Sequence, residues 1–383
     1  MYTPIRSSDI REHNEKLVLR MILMAGAEGI AQSDIVTKTG LKAPTVFRIF
    51  NNLERLNYIE MSGKPEELPE TVKKKGRKPV LYQIRPNTFF TIGVDFWENH
   101  LYAGLFDLTG EQKQVLTQNF TTHTVEHVLE TIIASIKKLI ADAGIASEQV
   151  LGVGIGAPGQ VDLESRSIMH YPGITGINNF PLCEHIEAAC SIPAFIHNNC
   201  AVLGMQAAEQ YPIQESLFLM IVRRGINGVF IQNRTPFVFK NNKTIEFGHI
   251  PIFSNTERCS CGAQGCLEAV ISKLDNHSGN DWLFEPYYAD ITALKENTKL
   301  FNELIDVFAS AVQSIRRLFD PHLFLLMTGN KEFSELLCNA VQKKLEGCTS
   351  IFDDGDFALQ ATVYNPEHAL LGAAKLVIEH LLS

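Results

Sequence analysis

At 383 residues, with 45% hydrophobic and 20% charged side chains, the chain is too long for one ordinary core and too apolar for a disordered protein, so two or three domains are expected. No run of about 18 apolar residues occurs, which leaves no candidate for a membrane-spanning helix. The net charge of −9 is unevenly spread: residues 1–86 carry 15 Lys and Arg against 10 Asp and Glu, whereas residues 87–383 carry 19 against 33.

A basic head on an acidic body suits a head that meets a polyanion. The opening residues M-Y-T-P-I-R-S-S-D-I-R contain no apolar stretch of the signal-peptide kind, and the eight cysteines are scattered. Both features suit a reducing compartment, so a cytoplasmic location is expected.

Within the head, Leu17, Val18, Met21, Ile22 and Met24 recur at helical spacing from Asn14 to Ala25, and Gly26 with Gly29 ends that helix. A short helix over Ala31–Thr39 and a turn at Thr39, Gly40 and Leu41 lead into a third helix. Lys42, Ala43, Pro44 and Thr45 open it, with proline in the first turn. Val46, Ile49, Phe50 and Leu53 form its buried stripe. This is the pattern of a helix-turn-helix, whose second helix enters the major groove of duplex DNA by its N-terminal residues, here Lys42 to Arg48. Leu56, Tyr58, Ile59 and Met61 read as one strand and Val80 to Ile84 as another, a wing whose tip carries Lys73, Lys74, Lys75, Gly76, Arg77 and Lys78. Lys75, Arg77 and Lys78 are candidate contacts to phosphates or a minor groove.

The body begins with two strands between Phe89 and Asp107 and a third over Val115–Thr121, then a helix over Val125–Ala143 and the strand V-L-G-V-G-I-G. A similar order returns in S-L-F-L-M-I-V and V-F-I-Q, helices between Leu274 and Phe319, the strand L-F-L-L-M, a helix over Lys331–Leu345, the strand F-A-L-Q-A-T-V and a helix over Ala369–Leu382. Periodicity alone supports mixed α/β. Gly154, Gly156 and Gly159 match a dinucleotide fingerprint by letter only, because Pro158 and the following V-D-L do not open a helix.

The densest chemistry lies between Glu246 and Glu268. His249, Cys259, Cys261 and Cys266 offer one imidazole and three thiolates, and Gly262 and Gly265 supply the tight backbone that lets the thiolates converge. A closed set of that kind suits structural Zn²⁺ better than Mg²⁺ or Ca²⁺. Glu246 and Glu268 bracket the four ligands, so folding around a metal fixes the two carboxylates relative to one another.

The string E-x-G-H, nine residues, then C-x-C-G-x-x-G-C-x-E resembles the signature of the ROK family of sugar kinases and sugar-responsive repressors. The order of helix, helix-turn-helix, wing and G-R-K-P resembles the N-terminal domain of the repressors, which the kinases lack. The resemblance implies a winged helix-turn-helix over residues 1–86, followed over 87–383 by a two-lobed, actin-like or ribonuclease-H-like sugar-kinase fold. Segments Gly154–Asp162, Pro172–Leu182 and His197–Gly204 are similar to the family's cleft-lining stretches. The implied sugar contacts are Asn198, Asn199, Glu246, His249 and Glu268.

Kinases of the family read D-x-G-G-T where this chain has Asp95, Phe96, Trp97, Glu98 and Asn99, and carry an aspartate where Asn199 stands. An amide cannot act as general base, a role worth about 10² to 10⁴ in rate. The loop R-R-G-I-N-G and the stretch Met327–Asn330 keep few of the kinases' glycines. No catalytic residue is therefore expected. The implied protein is a homodimeric or homotetrameric repressor of carbohydrate genes that binds an operator and responds to a sugar or sugar phosphate. Two alternatives are a sugar kinase with an appended DNA-binding domain and a regulator governed by a protein partner.

Overall fold

The fold is taken from a computed structural model that describes residues 7–62, 79–97, 100–120, 122–211, 215–222, 225–239, 243–252, 256–271, 298–346 and 357–382. The Lys73–Lys78 cluster, Glu98, Asn99 and the stretch 274–297 of the expected helices lie outside these residues.

The N-terminal segment folds as three helices, α1 (Ser7–Ala25), α2 (Gln32–Thr39) and α3 (Ala43–Arg55), with strands β1 (Ile30–Ala31), β2 (Ile59–Met61) and β3 (Leu81–Ile84). The strands form an antiparallel sheet in the order β1-β3-β2. α1 starts seven residues before the apolar periodicity does. Its polar first half is held by the i,i+4 ion pairs Arg11–Glu15 and Glu12–Lys16, which stabilise a helix without burying anything. α3 buries Val46, Ile49, Phe50 and Leu53, and these pack with Val18, Ile22, Ile35, Ile59, Tyr82 and Ile84. Leu56 is not in a strand: it caps the end of α3 and is 41% exposed, and the chain turns at Asn57 with φ 62° before β2 begins. β1 has two residues, too few for any periodicity to reveal.

The remainder is built on two five-stranded sheets of matching topology. β4 (Phe90–Phe96), β5 (His100–Asp107), β6 (Gln112–Asn119), β7 (Val150–Ala157) and β11 (Ala194–Asn198) take the order β11-β7-β4-β5-β6. β12 (Ser216–Val222), β13 (Ile226–Gln232), β14 (Thr235–Pro236), β15 (Leu323–Thr328) and β16 (Ala358–Val363) take the order β14-β13-β12-β15-β16. In each sheet an antiparallel meander precedes parallel strands. Every residue of β4, β12 and β15 is buried, as continuous apolar runs covered on both faces require. A small sheet, β10-β9-β8, is formed by β8 (Gln160–Asp162), β9 (Ser167–His170) and β10 (Asn178–Phe180).

Helices α4 (Val125–Ala143), α5 (Leu182–Cys190), α7 (Thr298–Phe319) and α8 (Lys331–Glu346) cover the outer faces, while α6 (Asn199–Gln210) and α9 (Pro366–Leu382) exchange lobes. α6 leaves β11 but packs on β12 and β13, and α9 leaves β16 but packs on β4 and β7. This exchange explains Gly154 of the glycine triplet. A Cβ on Gly154 would lie 1.8 Å from the carbonyl oxygen of Ala373 in α9, so bare backbone lets the helix sit directly on the strand. Residues 150–157 are strand and Gly159 leads into β8, which leaves no helix N-terminus for a pyrophosphate.

The two parts of the chain meet along an apolar seam. Tyr58 stacks on Phe89 at 4.4 Å. Leu108 and Ile378 join the cluster around Val18 and Ile22, and Arg20 pairs with Glu379 and donates to the Leu382 carbonyl in α9. No described helix is long and apolar enough to cross a membrane.

Candidate functional site

Between the lobes lies a cleft of about 640 Å³. Its first-lobe wall is set at the end of β11. His197 is buried, and burial pushes its ring down to about 4, so the imidazole stays neutral. Its Nδ1 accepts the Asn198 N–H at 2.8 Å. Asn198 then caps α6 by accepting the Cys200 N–H at 2.8 Å, and its Nδ2 donates to the Gly159 carbonyl at 2.8 Å. Across the cleft Asn227 of β13 donates to the same Asn198 oxygen at 3.1 Å. One side chain thus ties both walls together.

The second-lobe wall is the loop expected to bind metal. A helical turn over Phe247–His249 presents His249, and Pro251 and Cys266 bridge the two arms of the loop. The ligand atoms of His249, Cys259, Cys261 and Cys266 all lie within 4.8 Å of one another. His249 Nδ1 is 3.5 Å from Cys259 Sγ, and Cys261 Sγ is 3.7 Å from Cys266 Sγ. A tetrahedral ion with bonds of about 2.0 to 2.3 Å separates its ligands by about 3.3 to 3.8 Å, so the four atoms fit a metal with a small contraction. Gly262 and Gly265 have φ of 91° and 81°, a conformation that side chains disfavour.

Glu268, two residues past Cys266, accepts the Ile226 N–H at 3.2 Å. Glu246 is half-buried, and its Oε1 has no hydrogen-bond partner among the described residues. Burial holds its carboxyl above the ordinary carboxylate range, and Glu268 adds to the rise against the pull of His249, Gln160 and His170. A buried acceptor without a donor is an open demand for a hydroxyl.

Asn198, Asn199, Glu246, His249 and Glu268 all line this one cleft. Gln160, His170, Tyr171, Asn227 and Thr244 line it too, and sequence reasoning singled out none of them. They arrive from the small sheet and its edge, from β13 and from the segment before Glu246, and only the polar Gln160 beside Gly159 offered any local signal. Trp97, at the end of β4, also reaches the cleft and is 8% exposed. Its ring lies 5.5 Å from Tyr102 and edge-on to Tyr364 at 5.8 Å. Tyr364 donates its hydroxyl to buried Asp95 at 2.7 Å. Far from the cleft, Lys42, Ala43, Pro44 and Arg48 are exposed and Thr45 is half-buried at the start of α3. Of the expected wing contacts, Lys75, Arg77 and Lys78 lie outside the described residues.

The fold is shared with proteins already characterised. The chain is 24% identical to the xylose repressor of Caldicellulosiruptor bescii over 98% of this chain and 97% of that protein. A crystal structure of a ROK family transcriptional regulator, homolog of the E. coli MLC protein, superposes with a TM-score of 0.78 at 17% identity over 97% of both chains. A ROK family glucokinase from Streptomyces griseus, solved with glucose and AMPPNP, superposes with a TM-score of 0.62 at 22% identity, covering 75% of this chain and 98% of its own. Residues 91–380 match the ROK family over most of the chain's length, and the chain belongs to that family.

Proposed function

We propose that this chain is a DNA-binding transcriptional repressor of genes for carbohydrate uptake or metabolism, released or retained by a sugar in the interlobe cleft. The observation that carries the reading is the union in one chain of an exposed basic helix start, Lys42 to Arg48, with a cleft in which two carboxylates, an imidazole and two amides converge. Residues 1–86 are the winged helix-turn-helix head and residues 87–383 the sensor. The repressor that aligns over 98% of this chain supports this division, as does the glucokinase, 98% of which superposes on only 75% of it. A twofold dimer places the two heads on half-sites separated by whole helical turns.

Zinc is the metal that suits three thiolates and one imidazole, and it supplies rigidity rather than chemistry. His249 would ligate the metal through Nδ1, the atom 3.5 Å from Cys259 Sγ, which leaves Nε2 for a ligand hydroxyl. Glu246 and Glu268 accept from neighbouring hydroxyls, and Asn198, held by His197 and Asn227, orients the ligand from the opposite wall.

Phosphoryl transfer is not part of this reading. It needs a cradle of backbone N–H groups and a base for the acceptor hydroxyl. Trp97, packed on Tyr102 and Tyr364, stands where the family's kinases carry a glycine of the cradle, and Asn199 offers an amide where a base is needed. A coupled assay with ATP and common hexoses is expected to show no turnover above background.

The test is selection of duplex sites from a random pool with the zinc-loaded full chain, followed by anisotropy titrations with and without D-xylose, D-glucose and their phosphates. The expected result is specific binding that one of these sugars shifts and that residues 87–383 alone do not show. Equal binding by that fragment would overturn the head assignment. Release of DNA by a protein partner, with no sugar effect, would replace the sugar by that partner.

A further inference from the structure

The strand pair β8–β9 delivers to the cleft a ring that none of the roles above employs. Tyr171 follows β9 and lines the wall together with Gly159 and Gly173. Its side chain lies between those two glycines. A Cβ on Gly159, whose φ is 71°, would sit 2.9 Å from Tyr171 Cβ and 3.2 Å from its Cδ2. A Cβ on Gly173 would sit 2.9 Å from Cε1, Cζ and Oη of the same ring. Separations of 2.9 Å are closer than real Cβ atoms come, so the tip of the phenol keeps its place only because Gly173 is bare backbone. Gly159 must be bare both for the base of the ring and for the His170 carbonyl oxygen, which its Cβ would meet at 2.3 Å. The base and the tip of the ring are each held by main chain, which cannot swing aside as a side chain can.

The surroundings tie this ring to the rest of the site. The Gly159 carbonyl accepts Asn198 Nδ2, while Gln160 and His170, the residues next to Gly159 and Tyr171, both act on Glu246. The phenol therefore stands in one connected wall with polar groups of both lobes. A tyrosine offers an apolar face and a polar tip, which matches a sugar ring with one C–H face and hydroxyls at its edge.

Resting on the sugar reading above, we propose that Tyr171 is the specificity-determining residue of the cleft. Its fixed ring supports the apolar face of an unsubstituted monosaccharide and leaves no room there for a bulky ring substituent, such as an acetamido group or a second sugar. Selection by a rigid wall works by exclusion, and the space reserved by Gly159 and Gly173 is already filled by the phenol.

Calorimetry on the zinc-loaded full chain tests this with D-xylose, D-glucose, N-acetyl-D-glucosamine and cellobiose. The wild-type protein is expected to bind D-xylose or D-glucose and to discriminate against the two bulkier sugars by about 10- to 200-fold, the range a shaped pocket supplies. Tyr171→Ala is expected to weaken the preferred monosaccharide and to admit at least one bulkier sugar, whereas Tyr171→Phe keeps the wild-type order of preference. Gly173→Asn, which displaces the ring without removing it, is expected to shift the order as Tyr171→Ala does and provides the test if that variant folds poorly. An unchanged order of preference in both Tyr171→Ala and Gly173→Asn overturns the proposal. A wild-type preference for N-acetyl-D-glucosamine or cellobiose overturns it while leaving the sugar reading intact. Binding of none of the four removes both.

Discussion

Cys261 is exposed, yet its thiol lies 3.7 Å from that of Cys266 and closes the ligand set. The loop's two arms are anchored in the second-lobe core by Phe247 and Leu267, but around the ligands only Cys259, Cys266 and Ala269 form a buried cluster, so the ligand segment depends on the metal more than on apolar contact. Cys261→Ser is expected to reduce zinc affinity by more than the roughly 10- to 100-fold that changes around a ligand produce, and to lower the melting temperature. Equal zinc content after chelator challenge would contradict that. His197 sets a pH signature. Its ring is held at about 4 against an ordinary 6.5, so between those values the unfolded chain binds a proton that the folded chain refuses. Stability is therefore full above about pH 6.5 and falls as the pH drops towards 4, by on the order of 3 kcal/mol in all. His197→Gln, which keeps an acceptor for Asn198, is expected to flatten that slope in urea unfolding at pH 7 and 5, and identical slopes would refute the assignment. The cysteines were legible in the sequence because their spacing is local. His170, Tyr171 and Asn227 were not, because each reaches the cleft from an element whose position only the tertiary fold decides.

At the scale of elements, α3 was readable almost residue by residue, since one amphipathic stripe, Val46, Ile49, Phe50 and Leu53, fixes which face is buried. That stripe leaves Lys42, Ala43, Pro44 and Arg48 facing outward. If α3 enters the major groove, Arg48→Ala removes one cation from the interface. The magnitude of the slope of log K against log salt then falls by about 1, while the fold, whose core Arg48 does not touch, is unchanged. An unaltered slope would place the DNA on another face. The exchange of α6 and α9 between lobes was hidden, because both helices are apolar on several sides and periodicity gives no partner. What the sequence did carry was Gly154, an indentation in β7 whose purpose appears only with Ala373 seated in it. Asp107 illustrates the same limit. It is fully buried and opposes its own ionisation by desolvation, but Thr109, Lys113 and the Asn87 N–H outweigh this and hold it below the usual carboxylate range. Asp107→Asn is expected to destabilise the junction by about 1 to 3 kcal/mol at neutral pH. The difference closes as the pH falls through the folded-state pKa of Asp107, where the wild-type carboxyl also loses its charge.

Across the whole molecule, α9 is the physical link between the cleft and the head. Tyr364, two residues before it, holds Asp95 beside Trp97 in the cleft wall. The helix then runs 17 residues, about 25 Å, over β4 and β7 to the contacts of Glu379, Leu382 and Ile378 with α1. In the proposed reading, a ligand held by Glu246, Glu268 and His249 on one lobe and Asn198 on the other favours a closed cleft. Because α6 and α9 each belong to one lobe by chain and to the other by packing, closure cannot leave them still. The ligand shifts operator affinity only by its differential affinity for the two states, and a coupling of about 1 to 3 kcal/mol corresponds to roughly 5- to 150-fold. Arg20→Ala combined with Ile378→Ala loosens the seam without touching the cleft or α3. The double variant is expected to bind sugar in the absence of DNA, and operator in the absence of sugar, with near wild-type affinity, while the shift in operator affinity caused by sugar shrinks towards one. By reciprocity, the shift in sugar affinity caused by operator must shrink by the same factor. A full wild-type shift in the double variant would mean that the signal leaves the body by another surface, and the path along α9 would be rejected.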